Sequence, residues 1–515
     1  MNVLIFCLVV LMVMTASVLA EKDPDISDIM SPEQKNMALN VLSYRQAGTI
    51  HLAGLKGTFE SYFVAPNKMY QTVDLGIMKM AQGYDGYKAW MLDPNGQYVE
   101  LTGMEYKIVM NSIYVMNYTF LREGAEWPIF MGGVLINNIP YYEFKAYPPG
   151  GDSVILYVGE QTGRLEMVRS FLDEITLVTH LEDFQEIEGY FMPMTSWTES
   201  SNPLLNDTMF VSETEINPEI DGSLFAMSLD HEVDYVFGED VDSVEVPIIY
   251  EKGYIMFRAT VNDTVAALFI LDTGAGMNAL DKRFADRIGL DAAGGMLAKG
   301  AAGYGEAAIA SLDSVAIGKI TLYDQKIAVI DFYAQNLRFG DDFAGLMGFD
   351  FVSRFPLKID FSRRIMTAYN ANIESPVHDG AVIPFRTMMK VPIIEASMGN
   401  CAGDFLVDLG NPLGVIMHKT FIDNCQFSEG LIESREQMTV GGVGGATTAI
   451  AATGHDFRIG EVEVKTIPMV ITDGTEGLLR SANVDGNIGT AFWEKFTVLF
   501  DYKRNALHLL PVDIK

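Results

Sequence analysis

Leu271-Asp272-Thr273-Gly274-Ala275-Gly276 decides how this chain is read, and Val407-Asp408-Leu409-Gly410-Asn411 is its weaker echo. In each, an apolar run ends in an Asp, a Gly follows two residues later, and an amphipathic stretch comes next. A strand that stops at Asp-x-Gly places a carboxylate on a tight loop, because Gly reaches backbone angles closed to residues with a Cβ. One such loop is a turn. Two in matching surroundings predict two carboxylates brought face to face.

The surroundings match as a tandem repeat. Unit one runs Tyr254 to Thr260, a turn at Asn262-Asp263, Ala266 to Leu271, the Asp loop, then an amphipathic segment from Asp281 to Leu290. Unit two runs Lys390 to Ala396, a turn at Gly399-Asn400, Asp404 to Val407, the second Asp loop, then His418 to Asn424. A Gly-rich stretch follows in each: Gly300-Ala301-Ala302-Gly303-Tyr304-Gly305, and Gly441-Gly442-Val443-Gly444-Gly445. Each unit then has a strand ending in a carboxylate expected to be buried, Asp331 or Asp473. Each closes on apolar-Gly segments, Gly345-Leu346-Met347-Gly348 and Gly486-Asn487-Ile488-Gly489. Gly348 lies 76 residues after Asp272, and Gly489 lies 81 after Asp408, a spacing that chance rarely repeats.

An Asp-Thr-Gly loop, a Gly-rich hairpin, then apolar-apolar-Gly and a short helix resembles the pepsin and retropepsin superfamily. The resemblance is closest to bacterial aspartyl proteases with retropepsin-sized lobes, here fused in one chain. It implies a bilobal β domain, with lobes at 245–380 and 381–515 and the two Asp loops meeting at a pseudo-twofold axis. It also implies catalytic roles for Asp272 and Asp408, supported by Thr273, Gly274, Leu409, Gly410 and Asn411. Gly303, Tyr304, Gly305, Gly442 and Gly444 would belong to hairpins covering the cleft. Tyr304 reads equally as a cleft-facing residue or an exposed loop aromatic.

Two carboxylates at hydrogen-bonding distance cannot both ionise readily, so they share a proton and titrate as a pair. One can then activate water while the other polarises a carbonyl. Such chemistry needs no Ser or Cys nucleophile, no cofactor and no metal; Gly-x-Ser-x-Gly and His-Glu-x-x-His are absent. Two departures from the family stand out. Leu409 replaces the Thr or Ser whose hydroxyl bonds across to the partner loop. Ala275 stands where a Ser often supports the outer carboxylate oxygen. The expectation is a looser dyad, not an absent one; the competing reading is a cleft that binds peptides without cutting them. Asn411 could donate to Asp408 or simply start a turn.

The first half, 21–228, reads differently. Short runs rich in β-branched and aromatic residues at 48–55, 58–64, 68–75, 78–82, 88–92, 141–147, 153–158 and 176–181 are punctuated by Pro66-Asn67, Asp85-Gly86 and Pro94-Asn95-Gly96. They predict a large antiparallel sheet. Ser31-Pro32-Glu33 predicts a helix start, and 112–122 a helix over the sheet's concave face. Gly83-Tyr84-Asp85-Gly86 with Trp90, Tyr157 to Gly163, Asp183-Phe184, Gly189 to Pro193, and Ile216-Asn217-Pro218 through Phe225 together resemble the lipoprotein-carrier and lipoprotein-sorting family of exported bacterial proteins. That resemblance implies a half-open antiparallel β-barrel around an apolar cavity, without catalytic residues. An apolar or lipid ligand there, or a module that merely positions the second half, are both open.

The whole chain is therefore expected to be mainly β. Its 515 residues suit two or three domains, and 49% hydrophobic with 20% charged residues is a globular composition. A net charge of −32 argues against nucleic acid. The expected partner is a peptide or protein substrate, and with both lobes in one chain the catalytic unit needs no dimer. Residues 1–20 are uncharged and end Val18-Leu19-Ala20, which reads as a secretory signal peptide, the alternative being an uncleaved anchor. Export implies a periplasmic or secreted protein. It permits, without requiring, a Cys401–Cys425 disulfide. The acidic stretch 229–244 reads as a solvated linker or an edge strand, and His231 within it as a solvated side chain, not a metal ligand. Three Asn-x-Thr sequons, at Asn117, Asn206 and Asn262, would matter only in a eukaryotic secretory pathway.

Overall fold

The computed structural model describes residues 23–228, 233–238, 241–333, 339–371, 380–425, 431–474 and 477–511. The expected signal peptide, His231 and Glu232 lie outside the described residues. The protein is mainly β, and its first half is built on one thirteen-stranded antiparallel sheet. Strand Ser43–Leu52 pairs on one side with Leu55–Val64 and on the other with Asp207–Ile216. The sheet therefore runs outward in two directions from it, to edges at Tyr98–Glu100 and Ile129–Ile136. Its two ends do not pair with each other, as a half-open barrel requires.

Helix Gly103–Met116 links those two edges and lies over the sheet. It starts nine residues before the predicted helix. Met104, Val109, Met110, Ile113 and Tyr114 recur at helical spacing and are buried, so this apolar stripe marks the helix, and the residues after it form only a short 3-10 turn at Thr119–Leu121. Val109, Met110 and Ile113 pack with Met69, Tyr84 and Ala89 of the sheet. The space lined by Met37, Val41, Tyr44, Phe63 and Tyr118 is about 10 Å³, too small for an acyl chain. Ser31 caps helix Pro32–Asn40 as predicted, its hydroxyl accepting from Gln34 N–H.

The second half builds each repeat unit in the same way. Val265–Leu271 pairs in parallel with Phe343–Met347, and Cys401–Val407 pairs in parallel with Gly486–Ile488. Each pairing sets the strand before an Asp loop against the closing apolar-Gly segment. A six-stranded sheet joins the units, with Leu357–Asp360 of one antiparallel to Phe496–Asp501 of the other. One continuous core, including Phe257, Phe269, Phe351, Phe405, Phe492 and Trp493, spans both. One expectation is corrected and one open choice is resolved. Asp331 is half-buried and Asp473 exposed, because each lies just past the end of its strand, beyond the core layer. The stretch 229–244 contains an edge strand, Tyr235–Phe237, paired with Ile320–Leu322, and Asp234 beside it ion-pairs with Arg354. Strand Ser243–Pro247 crosses the boundary expected at 245. Cys401 and Cys425 form a disulfide that ties strand Cys401–Val407 to helix Lys419–Cys425.

The two halves are packed together. Ile50, Phe59, Leu75 and Met78 of the first share an apolar cluster with Met277, Met296 and Ile309 of the second. Asp93, with a fully buried carboxylate, takes Lys390 Nζ at 2.7 Å and the N–H groups of Asn95 and Gln97. Glu105 accepts from Met389 N–H at 2.8 Å, and burial raises its pKa. Removing one partner of a buried pair strands the other charge. Lys390→Ala is therefore expected to cost about 3–5 kcal/mol in urea unfolding, and Lys390→Met with Asp93→Leu clearly less. Equal losses in the two variants would show that the pair itself is not what holds this interface.

Candidate active site

The parallel pairings place both Asp loops by the same backbone bonds. Asp272 N–H donates to Met347 O at 2.9 Å, and Asp408 N–H donates to Ile488 O at 3.1 Å. Each loop then folds onto its own carboxylate. Gly274 N–H donates to Asp272 Oδ1 at 2.9 Å, and Gly410 N–H donates to Asp408 Oδ1 at 2.8 Å. The carboxyls of Asp272 and Asp408 face each other across the two loops. Gly274 packs on the carboxylate of Asp408, and Gly410 on that of Asp272, so closely that a methyl group at either would overlap the facing carboxylate. The glycines are thus required by the close approach of the loops and not, as the sequence suggested, by their backbone angles, since neither has a positive φ.

Thr273 bridges the loops. Its hydroxyl donates to Val407 O at 2.8 Å and accepts from Leu409 N–H at 2.9 Å. Leu409 is fully buried and has no hydroxyl to return the bridge. Thr490 Oγ1 instead donates to Leu409 O at 3.1 Å and Asn411 O at 2.9 Å, holding the second loop from behind. The pair forms despite the missing hydroxyl. Asn411 does both things foreseen for it, by different atoms: its N–H donates to Asp408 Oδ1 at 3.1 Å, and its side-chain oxygen accepts from Leu413 N–H in a turn.

Asn487 was missed by sequence reasoning. Its Nδ2 donates to Asp408 Oδ2 at 2.6 Å. The signal was present: in the aligned closing segments an Asn stands where unit one has Leu346. Tyr254 and Tyr502 were also missed. The pKa of each hydroxyl is raised by burial first and then by carboxylate charge, from Asp272 and Asp408 at Tyr254 and from Asp272 at Tyr502. Asp272 itself is pushed well above the usual carboxylate range, by burial first, then by the charge and hydrogen bond of Asp408. Among the described residues, no group of three or more His, Cys, Asp or Glu is placed to hold a metal ion.

The Gly-rich stretches form two hairpins that meet. Gly300 to Gly303 turns between strands Ala292–Lys299 and Tyr304–Ile317, with Gly305 paired to Ala298. Gly300 packs on Val443 and Gly303 on Gly444, backbone to backbone, and Gly442 lies beside Ala301. Leu478 and Leu479 N–H donate to the carbonyls of Gly300 and Ala301 at 2.9 Å. Tyr304 fits neither expectation fully: its hydroxyl donates to Glu174 of the first half at 2.8 Å. Glu174 also accepts from Gly477 N–H, and neighbouring Asp173 forms a buried ion pair with Lys299.

Residues 257–351 match the sequence model of a family described as aspartyl protease. No curated protein sequence matches the chain. Among solved structures the chain is similar to an aspartic proteinase from Irpex lacteus, at 14% identity over 53% of this chain and 98% of that one, TM-score 0.35. It is also similar to a LolA superfamily protein from Nitrosomonas europaea, at 14% identity over 40% and 98%, TM-score 0.29. A DUF1329 family protein from Desulfovibrio piger aligns at 12% identity over 38% and 93%, TM-score 0.28.

Two outcomes follow from this geometry. Thr273→Val removes a buried hydroxyl with two partners and is expected to lower stability by roughly 1–3 kcal/mol, read as a lower urea midpoint. Asp173→Ala with Glu174→Ala is expected to speed backbone hydrogen exchange across 299–304 by about tenfold or more, since local opening is governed by local contacts. Unchanged exchange there would mean that the hairpin is held by its contacts with 443–444 and 477–479 alone.

Proposed function

We propose that the chain is an aspartic endopeptidase in which Asp272 and Asp408 share one proton and activate water. The observation that carries this reading is the facing of the two carboxylates, each on an Asp-x-Gly loop and each packed on the other's glycine. The ionised carboxylate accepts a proton from a water held between the pair, and the resulting hydroxide adds to the scissile carbonyl carbon. The protonated carboxyl donates to the carbonyl oxygen as it gains charge. The tetrahedral intermediate collapses with C–N cleavage as the carboxyl that took the water proton passes it to the amide nitrogen and the other carboxylate takes back a hydroxyl proton, giving a carboxylic acid and an amine without a covalent enzyme intermediate. In this reading the Gly-rich hairpins, which meet at Gly303 and Gly444, exclude bulk water and separate to admit a chain.

The uncharged apolar residues 1–20 support export. No helix among the described residues is long and apolar enough to cross a membrane. A second reading, peptide binding without cleavage, is favoured by one observation: Leu409 leaves the loops with a single bridging hydroxyl where the family pattern has two. A ligand-carrying role for the first half has less support, because helix Gly103–Met116 occupies the sheet face that an apolar ligand would need.

The test is hydrolysis of a quenched peptide library from pH 3 to 8 by the mature chain. The rate should be bell-shaped. It falls at low pH, where both carboxyls are protonated, and at high pH, where the shared proton is lost. The alkaline limb should lie above the ordinary carboxylate range, because the pKa of Asp272 is raised. Asp272→Asn and Asp408→Asn should each lower kcat/KM by on the order of a thousandfold or more. Folded wild-type protein that cleaves nothing at any pH would leave the binding reading.

A further inference from the structure

The two carboxylates are not equivalent, and the difference lies where matched positions of the repeat carry different residues. Each Asp is met by main-chain N–H of its own loop: Gly274 for Asp272, Gly410 and Asn411 for Asp408. Only Asp408 has a side-chain amide added, at Oδ2. Leu346, at the corresponding place in unit one, has nothing to donate.

The direction of that amide is fixed from a distance. An Asn side chain can turn either way, so its orientation must come from its partners. Leu413 N–H can only donate, and it meets Asn411 Oδ1 at 2.9 Å. Asn411 must therefore present Nδ2 at its other end, where it donates to Asn487 Oδ1 at 3.0 Å. Asn487 in turn must present Nδ2 to Asp408 Oδ2. Both amides are buried, 8% and 7% exposed, and turning either one would set donor against donor or acceptor against acceptor. The relay starts at a peptide N–H that cannot reverse and ends at an oxygen that must accept.

We propose that the relay Leu413–Asn411–Asn487 keeps Oδ2 of Asp408 unprotonated, making Asp408 the ionised, water-activating carboxylate and Asp272 the holder of the shared proton. Asn487 is then a positioning residue for the proton of the dyad. The assignment of chemical roles rests on the protease reading; the placement of the proton does not. The other titratable groups facing the pair are the hydroxyls of Tyr254 and Tyr502, both neutral in the working pH range because burial and carboxylate charge raise their pKa values. They do not supply a competing charge.

Two measurements test this. In the first, the kcat/KM–pH profile is compared for wild type, Asn487→Leu and Asn411→Ala, with thermal melts to confirm folding. A hydrogen bond to a charged group is lost, so the acid limb of Asn487→Leu should move up by roughly 1–2 pH units. Asn411→Ala, which leaves Asn487 in place but unoriented, should move it less. A folded Asn487→Leu with an unmoved limb overturns the proposal.

The second measurement needs no peptidase activity. 1,2-Epoxy-3-phenoxypropane is opened by a carboxylate and not by a carboxylic acid. The carboxylate oxygen bonds to an epoxide carbon, the ring C–O bond breaks, and the alkoxide takes the proton held by the neighbouring carboxyl. Peptide mapping should find the ester on Asp408 in wild type, and about equally on Asp272 and Asp408 in Asn487→Leu. An ester on Asp272 in wild type, or an unchanged ratio in the variant, overturns the proposal. If the wild type cuts no peptide, the protease reading fails and this mapping still decides where the proton sits.

Discussion

Everything at the centre of this protein depends on two loops approaching until each glycine lies against the other loop's carboxylate. That approach turns two ordinary acids into a coupled pair. It is held by the hydroxyl of Thr273, which joins both loops through a donor and an acceptor bond. It is aimed by the parallel strands behind it, since Asp272 and Asp408 each hang from the carbonyl of a closing segment. The six-stranded sheet between the units fixes the distance across which the loops must reach.

Much of this was legible in the sequence because it is local or repeated. Asp-x-Gly, the Gly-rich hairpins and the apolar-Gly closures are short patterns, and each unit vouches for the other. Long antiparallel strands with turn residues between them were equally readable in the first half. Strands 129–136, 165–172, 190–200 and 207–216 were not read as strands. They are largely half-exposed, so alternation of polar and apolar residues is blurred. The burial of Asp331 and Asp473 was misjudged because an apolar run before a carboxylate says where a strand ends, and nothing about what covers the next residue. The Lys299–Asp173 and Tyr304–Glu174 contacts lie more than a hundred residues apart in the chain, and no periodicity encodes such a meeting.

The repeat also explains how asymmetry became available. In a pair of identical subunits, any group offered to one carboxylate is offered to both. Within one chain, Asn487 and Leu346 can diverge at matched places, and so can Leu409 and Thr273. The bridge has one hydroxyl, that of Thr273, and the amide relay reaches Asp408 alone, so the second loop is held by different atoms from the first.

The ion pair between Lys299 and Asp173 has a consequence for how the chain comes apart. Both side chains are almost fully enclosed, 6% and 9% exposed, and the apolar cluster of Phe59, Met78, Met296 and Ile309 lies across the same border. Pulling the halves apart would wet that cluster and strand both charges. The border between the sheet and the lobes is thus a change of architecture but not a line of weakness. The unit expected to melt cooperatively includes the first Gly-rich hairpin and the sheet that grips it.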